Sequence, residues 1–137
     1  MSEKTVDWQP ISALPMIVSL IDDWLDEVDE LYANLDSCRS NPHVLDDSIV
    51  GRVISVYSAQ AGDIWLYEEQ LSRWGSLTLP PQQCQELARL TAQVLAIRER
   101  ITAILALAEE LKKGTIESVL AKSDLDLGLE ALLAGKL

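Results

Sequence analysis

Residues 14–38 read LPMIVSLIDDWLDEVDELYANLDSC. Leu14, Ile17, Ile21, Trp24, Val28, Leu31, Leu35 and Cys38 recur at alternating steps of three and four, an unbroken a/d heptad. Val18, Leu25 and Tyr32 each follow a d position and widen the apolar face. A stripe of this kind is stable only when one helical face is buried against a partner.

Two further stretches carry the same spacing. Between residues 50 and 74 the stripe is Val50, Val53, Tyr57, Gln60, Ile64, Tyr67, Leu71 and Trp74. Between residues 87 and 111 it is Leu87, Leu90, Val94, Ile97, Ile101, Ile104, Ala108 and Leu111. The three stretches predict an all-α fold, an up-down-up antiparallel three-helix bundle with a short C-terminal helical element. Short connections make neighbouring helices antiparallel, and a 3.5-residue period favours shallow left-handed crossings.

Boundary residues divide the chain into a leader (1–11), the bundle (12–114) and a tail (115–137). Trp8 and Ile11 of the leader are placed to dock back on the bundle. Ser12 is the expected N-cap of the first helix, with Pro15 in its first turn. Ser40, Asn41 and Pro42 end that helix. Asp46 or Asp47 caps the second, and Gly75 is a natural residue to close it. Pro81 opens the third, and Gly114 stops it after Lys112 and Lys113. In the tail, Ser123 and Asp126 resemble a capping box, and Leu125, Leu129, Leu132 and Leu133 give the next turns an apolar face. In such a bundle Cys38 and Cys84 lie at opposite ends, far beyond the roughly 7 Å between Cα atoms that a disulfide spans.

The 137 residues carry 22 acidic and 11 basic side chains, a formal net charge of −11. The excess is concentrated early: residues 1–47 hold eleven acids against Lys4 and Arg39, whereas residues 48–113 hold seven of each sign. Without clustered Lys and Arg to displace counterions from a phosphate backbone, nucleic acid is not an expected partner. No apolar run approaches the roughly 20 residues of a membrane span, and no basic segment precedes an apolar one near the N-terminus. Two cysteines without metal-type spacing suit a reducing compartment, and a cytoplasmic location is expected.

Catalytic chemistry finds little to stand on. A di-metal bundle needs inward Glu side chains and two Glu-x-x-His pairs, but the one histidine, His43, lies in a loop. Glu27-x-x-Glu30 matches half of a Mg²⁺-binding pattern and leaves a metal-dependent all-α hydrolase as one alternative. No catalytic, cofactor or metal residue is assigned.

Trp65 and Leu66 fall at b and c positions, off the stripe, where an outward helical face is normally polar. Their cover is the tail, a second copy of the chain, or another protein. Trp65, Leu66, Leu125, Leu129, Leu132 and Leu133 are therefore the candidate partner-binding residues. Gln60 is a polar side chain amid an apolar stripe, expected to set register through a satisfied hydrogen bond or else to contact a ligand. The leading expectation is a non-catalytic interaction module (adaptor, small chaperone or regulatory subunit) that binds a protein partner or forms a homodimer. A purely structural homo-oligomer is the remaining alternative.

Overall fold

The structure is a computed structural model, and it describes residues 6–115. Among these residues it is all-helical, with three long helices packing against each other. A 3-10 turn, Ile11–Ala13, leads into α1 (Leu14–Ser37). A second 3-10 turn, Pro42–Val44, precedes α2 (Asp47–Gly75), and α3 spans Pro81–Lys112. No helix among the described residues is long and apolar enough to cross a membrane. The expected tail helices and their leucines lie outside the described residues.

The helix ends follow local chemistry, with two departures from expectation. Asp46 caps α2 by accepting the Ile49 amide at 2.7 Å, and Pro81 occupies the first position of α3. Ser12, however, does not cap α1. Pro10 holds an extended backbone and its carbonyl accepts the Ala13 amide, so Ser12 is taken into the 3-10 turn and Ala13 becomes the cap residue. Gly75 is likewise the last residue of α2 rather than a left-handed exit. Ser76 stays right-handed, and its amide and Oγ both donate to the Arg73 carbonyl. The serine thus satisfies a carbonyl that a glycine turn would otherwise serve.

The two heptad rows have different fates, and the difference describes the architecture. On α3 both rows are buried: all eight stripe residues lie in the interior, joined by Leu107. On α1 the a residues Leu14, Ile21, Val28 and Leu35 are buried, and on α2 so are Val50, Tyr57, Ile64 and Leu71. The d residues Trp24 and Leu31 of α1, Cys38 just beyond it, and Val53, Gln60 and Tyr67 of α2 are only half-buried, whereas the d residues Ile17 and Trp74 at one end are buried. Both α1 and α2 pack directly on α3, and their own backbones stay further apart from each other. The a rows therefore face α3, and the d rows, apart from buried Ile17 and Trp74, face a space between α1 and α2. Each fully buried branched side chain removes apolar surface worth about 1.5–3 kcal/mol from water, so most stabilising burial converges on α3.

Ion pairs trim the outer seams. Asp22 accepts from Arg89 at 3.0 Å and from Gln93 at 2.7 Å, and Asp29 accepts from Arg100 at 2.9 Å. Arg98 grips both carboxylate oxygens of Glu68. Arg89 and Gln93 hold the Asp22 carboxyl below the usual carboxylate range. These pairs are solvent-exposed and contribute little stability each. At the far end Thr115, fully buried, donates to Asp47 Oδ1 at 2.6 Å and fastens the end of α3 to the start of α2. Cys38 and Cys84 are free thiols, one half-buried and one exposed.

Candidate interaction surface

Trp65 projects from the outer side of α2 and remains 49% exposed. Its partial cover comes from the leader. The Trp8 ring meets it edge-on, with centroids 6.3 Å apart and planes at 73°, a favourable aromatic geometry. The Arg73 guanidinium lies 4.5 Å over the other ring of that pair, Trp8, and adds a cation–π contact. Leu66 is half-buried and lines a small cleft of about 220 Å³ with Val6, Trp8, Ile17, Tyr67 and Gln70.

The leader is held there by its backbone. Gln9 donates its amide to Gln70 Oε1 at 2.7 Å, and its carbonyl accepts from Gln70 Nε2 at 3.3 Å and from Trp74 Nε1 at 2.9 Å. Gln70 is only 7% exposed, and this two-way pairing satisfies an amide that burial would otherwise leave costly. The segment thus crosses from α1 to α2 and closes one end of the space between them.

Further along that space, Trp24 Nε1 donates to Gln60 Oε1 at 2.7 Å, and the Trp24 and Tyr67 rings lie 5.0 Å apart at 58°. Gln60 is therefore a hydrogen-bonded polar residue within the stripe, and its side chain also lines a cleft. Around these three side chains runs an open cleft of about 360 Å³, with Leu20 at its wall and Asp23, Glu27 and Asp63 at its rim. The nearby Tyr57 hydroxyl is pushed above its ordinary pKa, by burial first and by the Glu27 charge second.

Of the residues singled out from sequence, Trp65 and Leu66 lie side by side on α2, facing the leader, whereas Leu125, Leu129, Leu132 and Leu133 fall outside the described residues. Glu27 lines the cleft between α1 and α2, but Glu30 is exposed and does not line it. Among the described residues no three of His, Cys, Asp or Glu gather as a metal-ligand group. The sequence did not mark Gln9 and Gln70 as partners; the only signal was the polar Gln70 one place before the stripe leucine Leu71. No family model matches the chain, and neither a curated protein nor a solved structure matches it.

Proposed function

We propose that the protein is a non-catalytic helical interaction module that binds another protein, or a second copy of itself, through the face built on Trp65 and Leu66. The observation that carries this reading is Trp65, a large aromatic still half in water although Trp8 already stacks on its edge. Aromatic anchors beside an arginine are the residue types that dominate binding energy at protein interfaces. Leu125, Leu129, Leu132 and Leu133 extend the same proposal to the tail.

The bundle behind this face is up-down-up. Asp22 meets Arg89 and Asp29 meets Arg100, with both numbers rising together, as for parallel α1 and α3. Ile17 shares a cleft with Leu66 and Gln70 while Trp24 meets Gln60, one number rising as the other falls, as for antiparallel α1 and α2. A cytoplasmic setting agrees with two free thiols.

Light scattering of the wild type and of a Trp65→Ser/Leu66→Ser variant tests the reading, together with recovery of tagged protein at about 0.5 M salt, where charge-only partners dissociate. The expected result is a dimer, or a stoichiometric partner, that disappears in the variant while the thermal melt persists. An unchanged mass and an unchanged set of bound proteins would remove the Trp65 face from consideration.

A further inference from the structure

The space between α1 and α2 is a second surface, adjoining the Trp65–Leu66 face at Tyr67, and its shape, polarity and charge agree on one occupant. We propose that it seats an amphipathic helix of a partner protein, about 18 residues long, with an apolar stripe flanked by lysine or arginine.

The floor is a line of d residues that three packed helices leave half-covered: Trp24 and Leu31 from α1, and Val53 and Tyr67 from α2. Leu20 (47% exposed) stands on the α1 wall, and Val56 (43%) and Ile49 (47%) lie on α2 at seven-residue spacing from Asp63, on the same helical face. Isolated exposed apolar residues are ordinary. Leu20 lines the cleft above two half-buried aromatics, and Val56 and Ile49 carry the Asp63 face of α2 onward as exposed apolar side chains. Helix-in-groove recognition needs this combination of a long apolar trough and spaced pockets.

The length follows from the ends. Gln9 and its bonds to Gln70 and Trp74 stop the groove beyond Tyr67. From Ile49 to Tyr67 the α2 face that bears these side chains rises about 27 Å, the length of roughly 18 helical residues.

The charge chooses among occupants. Asp23, Glu27 and Asp63 rim the cleft, and none has a cation within ion-pair distance among the described residues, whereas Asp22, Asp29 and Asp36 are each paired with arginine. Complementarity therefore asks for cations on both flanks of the incoming helix. The chain's own residues 116–137 carry four acids against Lys122 and Lys136, the same sign as the rim. In a second copy, α1 carries acids and no base at all, and Arg73, Arg89, Arg98 and Arg100 are already paired with carboxylates of their own chain. Both are repelled where a basic partner helix is drawn in.

The test uses the full chain and a synthetic 18-residue helix with leucine at i, i+3, i+4 and i+7 spacing and lysine on the flanks. The four indole N–H signals of Trp8, Trp24, Trp65 and Trp74 report the site by NMR. Binding that moves Trp24 and leaves Trp65 in place is expected. It should weaken about tenfold or more in the exposed-site variants Leu20→Ser and Val56→Ser, whose melting should match the wild type, and about tenfold or more when glutamate replaces the flanking lysines. Equal binding of the glutamate peptide, movement of Trp8 and Trp65 alone, or no binding at millimolar peptide would each overturn the assignment. A tenfold gain in affinity on Leu129→Asp/Leu132→Asp would overturn it too, since it would give the groove to the chain's own tail.

Discussion

Trp24 and Gln60 form the hydrogen bond that joins the two helices whose backbones stand apart: indole Nε1 to amide Oε1, 2.7 Å, across the open side of the bundle. Removing the acceptor leaves a half-buried N–H without its partner. Gln60→Ala should cost about 1–2 kcal/mol in urea unfolding. In a double-mutant cycle with Trp24→Phe, a coupling of about 1 kcal/mol is expected. A coupling near zero would mean that water serves the indole equally well.

Gln70→Ala should free the leader. Losing the two bonds to the Gln9 backbone unfastens the crossing segment, so amide exchange at Gln9 should accelerate and the Trp8 ring should leave Trp65 and Arg73. Global stability should fall by about 1 kcal/mol. Gln9 exchange at the wild-type rate would place the anchoring in Trp74 instead.

Alkaline pH should expose Tyr57. The fold raises its phenol pKa above the ordinary 10.0, so the neutral form is favoured in the native state. The associated stability is therefore fully present below pH about 10 and is lost as pH rises through the folded pKa. Tyr57→Phe should melt less steeply with pH above about 10 than the wild type does. Glu27→Gln should narrow the gap between the folded and unfolded pKa and so shrink the alkaline loss, but less than Tyr57→Phe does, because burial outweighs the Glu27 charge among the causes. Parallel melting curves of Tyr57→Phe and wild type up to pH about 11 would refute the burial argument.

Substitutions on α3 should separate sharply by row. Ile97 is 0% exposed within the core, and Ile97→Ala should cost about 3–4 kcal/mol. Leu95, two residues away, is 53% exposed, and Leu95→Ala should stay within about 0.5 kcal/mol. Chemical denaturation of both variants decides this; similar costs would mean that Leu95 is covered in solution.

The heptads made the three helices legible, because burial of an apolar row is the strongest local demand a sequence makes. They could not say which row would be fully covered. The a rows of α1 and α2 and both rows of α3 look alike in one dimension, and Trp24 differs from Ile21 only through where α3 sits. Caps are legible where a side chain acts alone: of the two candidates Asp46 and Asp47, Asp46 takes the role. They were misread where neighbours intervene: Pro10 pulls Ser12 into a 3-10 turn, and Ser76 takes over from Gly75. Trp65 stood out by size on a face that should be polar. The Trp8 edge against it was beyond reach, because a leader's path depends on a backbone pairing, Gln9 with Gln70, that no spacing encodes.

The helix on which the other two rest is the last of the three to be made. While α1 and α2 leave the ribosome, their a rows have no native surface to bury, since they touch one another only through long side chains. Assembly must then wait for α3 and happen in a single late step, with the first two helices held open until it arrives. A chain ending at residue 80 should accordingly show a non-cooperative melt and dye-accessible apolar surface, and adding back an α3 peptide should restore the cooperative transition. Timing, in this molecule, follows from which helix sits in the middle.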